Sequence, residues 1–125
     1  MTDIVKVTPE MVENEIVSEH YFTAADGVAG AKMVTDYCND SNDAEVLGNA
    51  INTHDEASVP LTILTICVLQ VKNGFTFVGT SSPVDWHAYD AELGRKYARE
   101  DAIDKLYPML GFRLADENKI DQESI

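Results

Sequence analysis

Two arginines four residues apart are the side chains in this sequence best suited to binding an anion. Arg95 and Arg99 bound the segment RKYAR, and residues four apart project from the same face of a helix. Two guanidinium groups on one face can grip a phosphate or a carboxylate together. Internal ion pairs are the commoner role for such arginines, and four acids close in sequence could supply them: Asp90, Glu92, Glu100 and Asp101.

Four aromatic side chains are candidates for a stacking surface beside that arginine pair. Phe75 and Phe77 share one face of a predicted strand, and Trp86 and Tyr89 stand just before the predicted helix. Packing in the core is the commoner role for aromatic residues, whereas a stacking surface would suit a nucleotide-like ligand. The candidate ligand-binding residues are therefore Arg95, Arg99, Phe75, Phe77, Trp86 and Tyr89.

No set of residues has the spacing of a catalytic or metal centre. His20, His54 and His87 are far apart, and none pairs with a Cys, Asp or Glu in a metal-binding pattern. The sequence also lacks the GxSxG, P-loop, HExxH and paired CxxC motifs. We therefore expect no metal, no cofactor and no enzymatic activity.

The charge of the chain is strongly negative. Twenty-two acidic residues against nine basic ones give a net charge of −13 at pH 7. This balance argues against binding to nucleic acid over a broad surface, because phosphate backbones are bound by lysine and arginine. A solvated acidic surface is the simplest interpretation. The charge also fits a protein partner with a basic surface, and it permits a local pocket for a small anion.

The cysteines and the apolar runs indicate a protein of the cell interior. Cys67 lies within an apolar run, and neither it nor Cys38 belongs to a CxxC motif, so a buried free thiol is expected. The N-terminal residues lack the pattern of a signal peptide. The longest apolar run, about ten residues from Leu61, is too short to span a bilayer as a helix. We expect a cytoplasmic protein without membrane contact.

Local patterns position these residues on a small set of elements within one domain, residues 1–125. The sequence Thr-Pro-Glu at 8–10 begins a predicted amphipathic helix over 9–19. Residues 24–37 form a second, weaker helix because two glycines lower its propensity. Residues 42–52 are a further helix candidate.

A β-hairpin is the strongest local prediction. Residues 61–71 are rich in β-branched residues and apolar on both faces, as in a buried strand. An Asn-Gly pair follows, which favours a two-residue type I′ turn. Such a turn pairs Val71 with Thr76 and Leu69 with Val78.

A long helix follows the hairpin. Pro108 would perturb its last turn, and Gly111 would end it. Residues 112–114 then form a short extended segment, and residues 116–125 form a polar, frayed tail. The apolar face of this helix consists of Leu93, Tyr97, Ile103, Leu106 and Leu110.

These elements predict an α+β fold. A short antiparallel sheet centred on the hairpin would be packed by the long C-terminal helix and by shorter N-terminal helices. A single hairpin is marginally stable alone, and its first strand is apolar on both sides. We therefore expect a homo-oligomer that covers the second face of the sheet.

Five segments spread over most of the chain form a specific combination: YFTAADGV at 21–28, LTICVL at 64–69, KNGFT at 72–76, YDAELGRK at 89–96 and PMLGFRL at 108–114. Together they resemble a tailed-bacteriophage family, that of gp-forty-nine of N-four-type phages and gene-sixty-six of Sf-six-type phages. The resemblance implies a phage or prophage origin and expression inside a bacterium. It implies no particular activity.

The sequence departs from the family pattern in three places. Ser82-Pro83 stand where the family usually has an alanine–cysteine pair, so no role for that cysteine is carried over. Tyr107 stands where the family usually has tryptophan, and residues 32–55 resemble an insertion relative to shorter members.

Two functions fit these observations. The first is a non-enzymatic phage accessory protein that binds and inhibits a host protein, such as a defence component, through its acidic surface. The second is a module that sequesters a small phosphate-bearing signalling molecule with Arg95, Arg99 and the nearby aromatic residues.

Overall fold

The computed structural model of the chain describes residues 6–39 and 59–123. It confirms the predicted α+β class: a three-stranded antiparallel sheet packs against a long C-terminal helix and shorter helices. The helix candidate at 42–52 lies outside the described residues. The elements are α1 (Pro9–Glu15), β1 (Ile16–Thr23), α2 (Ala24–Asn39), α3 (Val59–Thr62), β2 (Thr65–Val71), β3 (Thr76–Ser81), a 3-10 turn (Trp86–Ala88) and α4 (Ala91–Glu123).

The first strand was absent from the sequence prediction. The helix predicted over 9–19 ends at Glu15, and Ile16 already has an extended backbone with φ −77° and ψ 120°. Residues 16–23 instead pair antiparallel with β2, from Ile16 opposite Val71 to Thr23 opposite Thr65. This pairing joins residues about fifty positions apart, so local periodicity could not show it. The second predicted helix is confirmed as α2.

The hairpin is present, but its predicted register and strand start are wrong. A helical turn, α3, occupies Val59–Thr62, and β2 begins only at Thr65. The loop has three residues rather than two, because the Gly74 amide donates to the Val71 carbonyl and the Val71 amide donates to the Phe75 carbonyl. Gly74 alone among the described residues has a positive φ, 90°. This is the type I turn with a glycine bulge, not a type I′ turn.

The three-residue loop decides which face of β3 is buried. Leu69 pairs with Phe77 instead of Val78, so Phe77 and Gly79 point toward α4 and Val78 points away. Gly79 is required there, because an added Cβ would overlap the Ala98 carbonyl oxygen and the Ala102 backbone nitrogen.

Small residues form the N-terminal half of the buried stripe on α4. At intervals of four, Gly94 packs on Thr65, Ala98 and Ala102 are fully buried, and the stripe continues with two leucines. Leu106 and Leu110 are buried as predicted, whereas the prediction was wrong for Leu93 and Tyr97, whose side chains are exposed. The core consists of Val12, Cys67, Leu69, Val71, Phe77, Ala98, Ala102, Leu106 and Leu110.

Helix α4 is much longer than the sheet. It has 33 residues and includes Pro108, so it spans roughly 50 Å, whereas the seven residues of β2 span about 20 Å. The helix continues past its predicted end at Gly111 and through the predicted extended segment at 112–114. It also includes most of the segment predicted as a polar tail. Its C-terminal half therefore extends along the hairpin end of the sheet.

Candidate functional site

Arg99 is held by two carboxylates from other elements. Its Nη1 and Nη2 donate to the two carboxylate oxygens of Glu13 at 2.9 and 2.6 Å, and its Nε donates to Glu19 at 3.0 Å. The hydrogen bonds to Glu13 raise the pKa of Arg99 and lower the pKa of Glu13. The guanidinium group therefore links α4 to α1 and β1. These partners differ from the four acids that the sequence suggested.

Arg95 lies one turn earlier on α4 and is exposed. Arg99 is largely buried, with 25% of its side chain exposed. The two residues are thus in different environments. Of the pair, Arg95 is the one whose side chain faces solvent.

The four candidate aromatic residues lie at opposite ends of the sheet. Phe75 and Phe77 stand at the hairpin end, where their rings meet edge to face at 5.3 Å between centroids. Trp86 and Tyr89 precede α4 at the other end, where Trp86 stacks on its neighbour His87 at 3.8 Å. The structure therefore does not bring the six candidate residues into one site.

A cleft of about 260 Å³ opens at the hairpin end, between the hairpin and the C-terminal half of α4. Phe77 and Leu106 form buried parts of its wall. We call it the hairpin cleft. Its lining residues are Glu15, Val71, Asn73, Phe75, Phe77, Leu106, Met109, Leu110, Phe112, Arg113 and Asp116.

A second cavity of about 180 Å³ lies on the α1 side of the hairpin cleft. The two cavities share Glu15, Leu110 and Arg113. Arg113 Nη2 donates to Glu15 at 2.8 Å, and this hydrogen bond raises the pKa of Arg113. The ion pair thus forms a polar wall shared by both cavities. Asp116 lines the first cavity and Glu117 lines the second.

The rim of the hairpin cleft exposes large apolar side chains. Phe75, Met109 and Phe112 are 57%, 51% and 70% exposed. Contiguous exposed apolar side chains beside charged ones are typical of binding surfaces. Glu15 already neutralises Arg113, so Asp116 and Glu117 leave the surroundings of the cleft with a net negative charge. The arrangement therefore suits an apolar group with a positive charge beside it.

Sequence reasoning found Phe75 and Phe77 but missed part of the helical side of this cleft. Phe112 and Arg113 were overlooked because the helix was predicted to end at Gly111. Met109 was overlooked because it lies outside the apolar face assigned to that helix. Met109 and Phe112 are three residues apart, the spacing of neighbours on one helix face. A helix continued through Gly111 would have revealed this apolar pair.

One known protein family matches most of the chain. The model of the phage protein (N4 Gp49/phage Sf6 gene 66) family matches residues 7–118. The chain belongs to this family. No curated protein and no solved structure matches the chain. The residues that line the two cavities of this Gp49/gene 66 family member lie between Met11 and Glu117. All of them therefore fall within the matched range.

The thiol of this family member's Cys67 is fully buried, as the sequence predicted. Burial raises its pKa, and burial also raises the pKa of the adjacent Tyr21 to about 12. Both groups therefore remain protonated at neutral pH.

Within residues 6–39 and 59–123, no three His, Cys, Asp or Glu side chains are grouped as metal ligands. In the same ranges, no helix is both long and apolar enough to cross a membrane.

Proposed function

We propose that this phage protein is a non-enzymatic accessory protein that binds and inhibits a basic host protein, such as a defence component, in the cytoplasm of the infected bacterium. The observation that carries the proposal is the hairpin cleft. It combines exposed apolar side chains with carboxylates at its mouth, in a chain whose net charge is −13.

The apolar rim supplies the contact energy in this proposal. Binding energy at protein interfaces is concentrated in a few large side chains that become buried. Phe75, Met109 and Phe112 are exposed around one concavity, so a single apolar side chain of a partner can contact all three. Burying the ring of Phe112 would contribute roughly 1–2 kcal/mol because part of it is already covered.

The carboxylates supply selectivity for a basic partner. Asp116 and Glu117 are exposed beside the cleft, and the remaining acids keep the potential around the protein negative. A negative surface attracts a basic partner and disfavours acidic ones. Salt screens such attraction, so binding should weaken as the salt concentration rises.

Sequestration of a phosphate-bearing molecule has weaker support. Arg99 already donates three hydrogen bonds to Glu13 and Glu19, so an anion would have to displace two carboxylates. The nearby aromatic residues that this function requires lie at opposite ends of the sheet. Arg95 remains exposed, but one exposed arginine does not form a phosphate site by itself.

The proposal is tested by affinity capture from host lysate, with the protein and small-molecule fractions both analysed by mass spectrometry. The unaltered chain should enrich one basic protein at about 0.05 M salt and lose it at about 0.5 M. Phe112→Ser should reduce its recovery at least fivefold. The control, Val84→Ser, removes a fully exposed apolar side chain outside the cleft and should retain the protein.

Enrichment of a nucleotide-like molecule without a protein would contradict the proposal and support the alternative. Equal recovery by Phe112→Ser and Val84→Ser would exclude the hairpin cleft as the contact surface.

A further inference from the structure

The face of the sheet opposite α4 is an uncharged platform. Strand register places three residues from each strand on this face, because side chains alternate along a strand and align across it. The nine platform residues are Ser18, His20 and Phe22 from β1, Ile66, Val68 and Gln70 from β2, and Thr76, Val78 and Thr80 from β3.

Side-chain contacts confirm that residues of two strands share this face. Ser18 Oγ donates to Gln70 Oε1 at 3.1 Å, and His20 Nε2 lies 3.3 Å from Ser18 Oγ. Phe22, at one corner of the platform, and Val78, in the middle of its β3 side, are both exposed. Six of the nine side chains are exposed and three, Ser18, Ile66 and Val68, are half-buried. The platform therefore has a partly exposed apolar centre and a neutral polar end.

The composition of the platform differs from that of the rest of the chain. Charged residues make up 25% of the sequence, so about two of nine positions would carry a charge by chance. None of the nine is an Asp, Glu, Lys or Arg. In a protein with a net charge of −13, this is a surface at which two copies can meet without bringing carboxylates together.

The geometry points to a second copy of this chain as the partner of the platform. We propose a face-to-face dimer in which two three-stranded sheets pack as a sandwich about 10 Å apart. The central row, with Val68 and Val78, lies at the interface. The polar row of Ser18, Gln70 and Thr76 offers hydroxyl and amide groups that can pair across it.

Edge-to-edge pairing through β3 is disfavoured because side chains of α4 occupy that edge. Asp101 Oδ2 accepts a hydrogen bond from the Thr80 amide at 2.9 Å, and Lys105 Nζ donates to the Val78 carbonyl. These contacts satisfy outward-facing groups of the strand, a known way to protect a sheet edge. Self-association through the β3 edge is therefore disfavoured.

The size of the platform sets the strength of the dimer. Three strands about 4.8 Å apart and five residues at about 3.3 Å cover roughly 240 Å². A standard stable interface buries about 800 Å² on each partner. The dimer should therefore be weak, with a dissociation constant on the order of 10–100 µM.

Salt should change the affinity of this self-association and the affinity for a basic host protein in opposite directions. Two copies repel one another through their net charge, and salt screens that repulsion. Self-association should thus strengthen with salt, whereas binding to a basic partner should weaken. The two proposals can fail independently.

Sedimentation equilibrium over a protein concentration range of about 5–300 µM tests the proposal. We expect a monomer–dimer equilibrium whose association constant rises at least threefold between about 0.05 M and 0.5 M NaCl. Val78→Asp and Thr76→Asp should each reduce association at least tenfold, because each places a carboxylate on the platform of both copies. Val84→Asp, a matched charge outside the sheet, should change it less than threefold.

Thr76→Asp distinguishes a loss of association from misfolding, because Thr76 is already an exposed polar residue and its replacement leaves the core unchanged. A strict monomer over the whole concentration range would overturn the proposal. A dimer that survives both platform substitutions would also overturn it, because the copies would then meet elsewhere, for example along β1.

Discussion

Arg99 and Glu13 are joined by two parallel hydrogen bonds, from Nη1 and Nη2 of the guanidinium group to the two carboxylate oxygens, at 2.9 and 2.6 Å. The pair connects the N-terminal third of α4 to the short helix α1. Arg99 Nε extends the contact to Glu19 on β1. An arginine that looked like a ligand-binding group from the sequence is therefore a cross-link between three elements of the fold.

Replacement of Arg99 should destabilise the protein. Arg99→Met removes three charge-assisted hydrogen bonds and leaves Glu13 and Glu19 without their cation. Since both carboxylates are partly exposed, we expect a loss of only about 1–2 kcal/mol in the free energy of unfolding. Urea unfolding followed by circular dichroism measures it. Arg95→Met, on the exposed side of the helix, should change stability by less than about 0.5 kcal/mol. Equal effects of the two substitutions would refute this role.

The same pair should contribute to the pH dependence of stability. Arg99 lowers the pKa of Glu13 in the folded state, so the stabilisation is fully present above the ordinary glutamate pKa. As the pH falls below that value, Glu13 protonates first in the unfolded chain, and stability declines. The contribution disappears when the folded-state carboxyl protonates. Between about pH 5 and pH 3, Glu13→Gln should therefore lose less stability than the unaltered chain. Parallel stability curves would contradict the assignment.

Two glycine-to-alanine substitutions should have opposite effects. Gly79→Ala places a Cβ against the backbone of Ala98 and Ala102, so α4 must move away from β3. We expect a loss of at least about 3 kcal/mol, or failure to fold. Gly111→Ala meets no atom within 4 Å and lies inside a helix, where alanine is favoured by about 1 kcal/mol. Thermal unfolding of both variants tests the packing of α4. A Gly79→Ala variant as stable as the unaltered chain would show that the helix does not approach β3 so closely.

The Cys67 thiol should be unreactive in the folded protein. It is fully buried, and burial raises its pKa, whereas the reactive species is the thiolate. In a Cys38→Ser variant, iodoacetamide should label Cys67 only after denaturant is added. Mass spectrometry of the intact protein measures the labelled fraction. Rapid labelling without denaturant would show that the core around Cys67 opens readily.

The sequence predicted the hairpin and the long helix because their signals are local. Alternation, an Asn-Gly pair and apolar residues at helical spacing all lie within short windows. The register was not predictable in this way. A two-residue and a three-residue loop both satisfy the Asn-Gly signal, but only the latter turns Phe77 and Gly79 toward α4. Close packing of Gly79 on Ala98, a tertiary feature, agrees with that choice.

Strand β1 and the helical side of the cleft were missed for related reasons. Glu19 interrupts the apolar alternation of β1, and its partner Arg99 is eighty residues away. Pro108 and Gly111 are helix breakers by propensity, yet α4 continues through both. Burial of the neighbouring Leu106 and Leu110 in the core compensates for the low helix propensity of Pro108 and Gly111. Local sequence patterns therefore could not predict the part of the hairpin cleft that α4 forms beyond Gly111.

Photo-crosslinking from the hairpin cleft tests the central claim most directly. A benzoylphenylalanine group in place of Phe112 would be irradiated in host cells, with the same group in place of Val84 as the control. The account predicts one discrete adduct with a basic host protein from position 112, reduced when Asp116→Lys is added, and none of it from position 84. Identical adducts from both positions, no adduct from position 112, or an adduct with a second copy of this chain alone would contradict it.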